Sequence, residues 1–176
     1  MNKKTGFTLV ELLVTITVAS IVLSMAVPNM RTTLQKNRMT TLHNQLLSAL
    51  SFTRSTAITQ GTWATLCHSN SDHTNCTAPE SEWVNGWIIF PDKNNDGQVD
   101  SNETILSAFT KLPAGISMLS NKNRISYGSQ GYAIGYAGKL TFCDSQNAIT
   151  PQGMIISSNG RVRTANANDS LTSCSG

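Results

Sequence analysis

The sequence is poor in charge. Asp, Glu, Lys and Arg make up only 13 % of the residues, which argues against an ordinary cytosolic enzyme. No Ser-His-Asp, Cys-His or paired-carboxylate pattern rises above coincidence, so catalysis is the weakest class of reading and no organic cofactor is expected. Cysteine is missing from the first 66 residues; all four, Cys67, Cys76, Cys143 and Cys174, come later. Aromatic residues are few, at 6 %. What is present instead is a regular spacing of aliphatic and aromatic residues in several strand-like runs. That spacing, in a chain of single-domain length, excludes disorder throughout and predicts a compact unit with a modest core.

The apolar residues crowd the beginning. Phe7 to Val27 runs for 21 residues with one ionisable group, Glu11. As a helix rising about 1.5 Å per residue it spans roughly 31 Å, enough to cross a bilayer. Lys3 and Lys4 place the short leading end in the cytoplasm. An ordinary secretory signal would carry its cleavage site after the apolar run and lose that run, whereas here Gly6 precedes it. A plain anchor leaves Glu11 unexplained, because a carboxylate inside a membrane helix is costly and marks a partner or a function.

Gly6-Phe7-Thr8-Leu9-Val10-Glu11 resembles the class III prepilin signal of type IV pilin-like proteins. The resemblance implies cleavage between Gly6 and Phe7 by a membrane prepilin peptidase, N-methylation of Phe7, and retention of the helix for assembly. Glu11 would then pair with the new amino terminus of a neighbouring pilin, where a low dielectric strengthens the attraction. Pro28 fits the same family habit and, by removing one backbone hydrogen bond, would allow a kink or local melting. The expected location is the inner membrane, single-pass with the head in the periplasm, and then a pilus on the cell surface.

From Asn29 to about Gln60 the pattern stays helical. Met39, Leu42, Leu46, Ala49, Leu50 and Ala57 recur at three- and four-residue steps, and Gly61 reads as the stop. His43 in this stretch is expected to be solvated. Short strand-like runs follow: 63–67, 86–90, 104–109, 116–119, 124–127, 139–143, 154–157 and 161–164, separated by Gly, Asn, Pro and Asp. The predicted class is therefore α+β, a long N-terminal helix with a transmembrane first half, packed on a C-terminal β-rich head. Its parts are a cleaved leader (1–6), a transmembrane and assembly helix (7–28), an amphipathic helix (29–61) and the head (62–176). The segment Gly86-Trp87-Ile88-Ile89-Phe90, with Asp92 to Glu103 and Ile105-Leu106 after it, resembles the GspH/FimT group of minor pilins and pseudopilins.

In an exported head an even cysteine count favours two disulfides. Of the three pairings, Cys67 with Cys76 closes a local loop and Cys143 with Cys174 ties down a Ser/Asn/Thr-rich tail, and these are the expected pairs. Cys67, His68, His73 and Cys76 also have the ligand types of a zinc site, but adjacent Cys67 and His68 make awkward joint ligands. Asp92, Asn94, Asp96, Asp100 and Glu103, with Gly97 at the sixth place, reproduce the spacing of a calcium-binding EF-hand loop. The flanks read as strands rather than helices, so an acidic hairpin loop competes with the calcium reading.

Charge is segregated along the head. From Cys67 to Thr110 there is one base, Lys93, against seven acids; from Lys111 onward six bases face two acids, Asp144 and Asp169. Gly160-Arg161-Val162-Arg163 stands out, since strand alternation aims both arginines the same way, roughly 7 Å apart, a spacing that suits successive phosphates. By chemistry alone two arginines at a hairpin end are better explained as edge solubilisers, being a small footprint for binding. Gly160, Arg161 and Arg163 match a Gly-Arg-x-Arg motif similar to that of FimT-type minor pilins, and the resemblance implies capture of double-stranded DNA for natural transformation. Lys122, Arg124 and Lys139 are candidate auxiliary contacts by charge. The competing expectation is a structural minor pilin, or a type II secretion pseudopilin, that primes filament assembly and binds only other subunits.

Overall fold

The computed structural model describes residues 6–77, 83–146, 149–166 and 168–174, with the side chains of 26–29 outside the description. The first element is a 52-residue helix, α1 (Leu9–Gln60). Thr8 caps it, its hydroxyl accepting the Glu11 amide at 3.3 Å, and Glu11 sits in the first turn where the helix dipole favours a carboxylate. The helix is unbroken across position 28, so local melting at Pro28 is not seen; the Pro28 side chain, like leader residues 1–5, lies outside the described residues.

Two units divide the chain, Met1–Asn37 and Arg38–Gly176. In the first, the aliphatic side chains from Leu9 to Leu23 are exposed, and the hydroxyls of Thr15, Thr17, Ser20 and Ser24 fold back onto carbonyls three or four residues earlier. Every polar group of this stretch that is so satisfied needs no water, as a bilayer requires. This helix is long and apolar enough to cross a membrane.

In the second unit α1 buries the expected stripe: Met39, Leu42, Leu46, Leu50 and Ala57 are fully buried and Ala49 packs against them. His43 falls on the same face, one residue from Leu42. It is buried rather than solvated, its Nε2 hydrogen-bonded to Thr164 Oγ1 at 3.2 Å and its ring tilted on Phe142. Gly61, at φ +65°, ends the helix as expected.

Eight strands follow, close to the eight runs read from the sequence: β1 (Ala64–His68), β2 (Trp87–Pro91), β3 (Ser107–Phe109), β4 (Ile116–Ser120), β5 (Arg124–Tyr127), β6 (Gly138–Asp144), β7 (Gln152–Ile156) and β8 (Val162–Thr164). They form two antiparallel sheets, ordered β3-β2-β1-β5 and β4-β6-β7-β8. One core takes the helix stripe together with Ala64, Leu66, Trp87 and Ile89 of the first sheet and Met118, Leu140, Phe142, Met154 and Ile156 of the second. Strands β1 and β2 are buried on both faces. Their other face holds Cys67, Ile88 and Phe90, covered by Cys76, Val99 and Ile105. The acidic loop after β2 thus serves as a lid on the first sheet.

Both expected disulfides are present, Cys67–Cys76 and Cys143–Cys174. The first removes both thiolates from the zinc reading. Of the two histidines in that set, His68 Nδ1 pairs with Thr77 Oγ1 and His73 Nδ1 with Ser69 Oγ.

Burial holds the His43 pKa below its usual 6.5. The unfolded chain therefore takes up this proton first, so the His43 contribution is complete above about pH 6.5 and declines as the pH falls below it. Urea midpoints of the full chain should drop between pH 7.5 and pH 5.5, and His43→Gln should flatten that drop; equal pH dependence in both proteins would contradict the assignment.

Candidate nucleic-acid interface

Gly-Arg-x-Arg lies where β7 turns into β8. Ser157 to Gly160 form a tight turn, with Gly160 N donating to Ser157 O at 2.8 Å and Ser157 N to Arg161 O at 2.9 Å. Asn159 Oδ1 accepts the Arg161 amide and fixes the exit of the turn. Gly160 sits at φ +77°, and a Cβ there would lie 1.9 Å from the Gly131 carbonyl oxygen. Only glycine fits this turn, for both conformation and space.

Val162 packs against the core, so alternation sends Arg161 and Arg163 outward. The two are not equivalent. Arg161 is exposed, and among the described residues no carboxylate pairs with it. Arg163 holds Asp169 in a two-point fork, Nη1 to Oδ2 at 2.6 Å and Nη2 to Oδ1 at 2.7 Å, and its Nη1 also reaches Asn166 Oδ1. The bond from Arg163, with the Asn166 amide behind it, holds the Asp169 carboxyl well below the usual carboxylate range. Arg163 is raised by the same bond.

The three auxiliary cations each tie down a loop. Arg124 donates to Asn95 O and Tyr136 Oη and lies 5.1 Å over the Tyr136 ring. Lys122 Nζ donates to Gly135 O, and Lys139 Nζ to Ser170 O in the tail. Neighbours of these side chains are the acidic loop, the 135–136 segment and the tail; none of their hydrogen bonds reaches the Gly160 turn.

A residue outside the sequence-based candidates does reach it. Arg54, on the helix, approaches from beneath: its Nη2 donates to Asn159 O at 3.5 Å, and its Nε lies 3.3 Å from where a Gly160 Cβ would stand. Among the described residues it has no carboxylate partner. Its position about two turns before Gly61 was visible in the sequence, but its partner, 105 residues away, was not.

The acidic loop is folded by its own hydrogen bonds. Asp92 is fully buried, and its Oδ2 accepts from Thr65 Oγ1 and the Gly97 amide. Asn94 Nδ2 bridges Asp96 and Asp100, and the Glu103 carboxylate accepts the Lys93 and Asp100 amides. Among the described residues no three His, Cys, Asp or Glu side chains are grouped to hold a metal. Joining the antiparallel neighbours β2 and β3, the segment is a hairpin connection.

The family described as Type II transport protein GspH matches residues 43–172, and the prokaryotic N-terminal methylation motif matches residues 1–27. The chain belongs to the GspH family. Its fold is similar to that of the type IV minor pilin FimU of Pseudomonas aeruginosa, with a TM-score of 0.59 at 15 % identity, covering 80 % of this chain and 98 % of that one. A second crystal form of FimU matches with a TM-score of 0.50 at 15 % identity, covering 75 % and 96 %. No curated protein sequence matches. This GspH-family subunit is accordingly a minor pilin or pseudopilin, processed by prepilin peptidase and associated with other pilins. Its methylation motif and apolar helix fit anchoring in the inner membrane before entry into a filament, and family and fold are those of a structural subunit rather than an enzyme.

Proposed function

We propose that this subunit is a minor pilin that binds extracellular double-stranded DNA without sequence preference, for uptake in natural transformation. The observation that carries the reading is the Gly160 turn, which presents Arg161, without a carboxylate partner among the described residues, with Arg54 beneath it. Guanidinium groups on a rigid turn suit phosphate oxygens, and contacts limited to phosphates carry no sequence information. One head supplies few contacts, so its affinity is roughly micromolar or weaker and strongly salt-dependent. Cleavage at Gly6, methylation of Phe7, and pairing of Glu11 with a neighbouring pilin belong to the same reading and supply the filament. The head then faces the periplasm before assembly and the surrounding medium after it.

One observation favours the competing role of a filament-priming subunit without DNA: the fork of Arg163 is already filled by Asp169. Titration of the full chain, in a non-ionic detergent, with short labelled duplex at low and moderate salt separates the two. Binding that weakens with salt is expected, with a loss of about tenfold in Arg161→Gln and a salt slope reduced by about 1. Arg163→Gln should lose less, because Asp169 already occupies that side chain. No binding at low salt would sink the DNA reading and leave the filament-priming one.

A further inference from the structure

We infer that the face around the Gly160 turn takes DNA with unpaired bases, phosphates on Arg161 and Arg54 and a base on the Tyr132 ring. The inference rests on the DNA-binding reading above and adds unpaired strands to the duplex as ligands of the same face.

A tight turn brings Tyr132 there. Gly131 N donates to Gly128 O and Gly128 N to Tyr132 O, while Ala133 N donates to Ser158 O at 2.9 Å, stitching this turn to the one between β7 and β8. The Gly131 carbonyl touches Gly160, and Arg54 Nε lies beside both glycines. Ala133 is the residue this segment gives to the core; Tyr132, 47 % exposed, and Ile134, 67 % exposed, are left outside. They rim a cleft of about 190 Å³ lined also by Trp63, Gly128, Ser129 and Gln130, with no charged side chain. The Trp63 ring is held edge-on by Tyr136 at 6.1 Å, so this apolar wall is fixed.

An aromatic ring and an uncharged, largely apolar cleft beside two cations have no counterpart on a duplex, whose bases are stacked inside and whose backbone offers only charge. An unpaired base has a free π-face, and alternating phosphate and aromatic contacts are how single strands are held. Arg54 offers such a strand its terminal nitrogens: its Nε is buried, whereas the hydrogen bond from its Nη2 to Asn159 O lies at the surface and is long at 3.5 Å. A neighbouring pilin would bury Tyr132 and Ile134 as well, but apolar packing gives no reason for two cations at its edge that have no carboxylate partner among the described residues.

Full chain in non-ionic detergent should be titrated with a labelled oligothymidylate and with a duplex of equal phosphate number. The single strand is expected to bind at least as tightly as the duplex. Tyr132→Ala should weaken the single strand roughly tenfold and change the duplex less than about twofold, while Tyr132→Phe, which keeps the ring, retains both. Arg54→Gln should weaken both ligands and lower the salt slope by about 0.7 for the single strand and about 0.9 for the duplex. Unchanged single-strand binding in Tyr132→Ala, with duplex binding still dependent on Arg161, overturns this inference and leaves the DNA reading standing. The same unchanged binding with loss of co-purifying pilins would assign the cleft to a neighbouring subunit and overturn it too. Absence of binding to either nucleic acid removes the DNA reading itself.

Discussion

Gly160→Val is expected to lower the melting temperature of the full chain by about 10 °C and to abolish DNA binding at the same time. The backbone at φ +77° is closed to a β-branched side chain. The new Cβ would also meet the Gly131 carbonyl at 1.9 Å, and a backbone carbonyl cannot swing aside as the end of a flexible side chain can. Conformational strain and the forced shift together cost about 3 kcal/mol, which for a domain of this size is roughly 10 °C. Displacement of the Gly131 turn moves Tyr132 and the floor on which Arg54 rests. Asn159→Ala, which removes only the bond to the Arg161 amide, should cost about 1 kcal/mol. Thermal melts of the two variants side by side, followed by duplex titration, decide the point; a Gly160→Val protein that melts like the parent would refute it.

The second large effect is expected from the tail. Cys143 and Cys174 are 31 positions apart, and closing a loop of that length restricts the unfolded chain by about 3.5 kcal/mol in the chain-entropy account. Cys67–Cys76, nine positions apart, contributes about 2.5 kcal/mol by the same relation. Among the described residues the tail is otherwise fastened by the Arg163–Asp169 fork, by Lys139 Nζ on Ser170 O and Thr172 N on Thr141 Oγ1, and by Leu171 over Gly153. Cys143→Ser with Cys174→Ser should therefore melt about 10 °C lower. Asp169 lies inside the closed segment, so loosening it weakens the grip on Arg163. At temperatures where the variant remains folded, its DNA binding should show a salt slope steeper by up to about 1. Matching slopes in parent and variant would mean that Arg163 takes no part in binding.

Much of this architecture was legible because its signals are local. Met39, Leu42, Leu46 and Leu50 announce one helix face by spacing alone, Gly61 announces its end, and turn residues bracket each of the eight strands. The arrangement of those strands was not legible. β5 pairs with β1 across the whole of β2 to β4, and no residue in Arg124–Tyr127 encodes that partner. His43 was misread because a polar residue on an apolar stripe looks solvated until its partner, Thr164, arrives from 121 positions away. The candidate interface divides in the same way. Gly160, Arg161 and Arg163 could be read as a motif, whereas Arg54 beneath them and Asp169 opposite Arg163 became visible only through contacts. The cations chosen for charge alone, Lys122, Arg124 and Lys139, each also hold a loop or the tail, because charge in a sequence does not reveal which carbonyl lies within reach.

Asp169 gives the proposed role a property that neither arginine has alone. As an anion tethered six residues from Arg163, it competes for that guanidinium at a high and constant effective concentration, whatever the ligand in solution. A free phosphate or a mononucleotide, arriving singly, must win the exchange unaided and gains little. A polymer already held at Arg161 presents its next phosphate from an equally short tether. The pair would thus act as a filter on length, indifferent to the abundant small phosphates of a bacterial environment and yielding only to a chain.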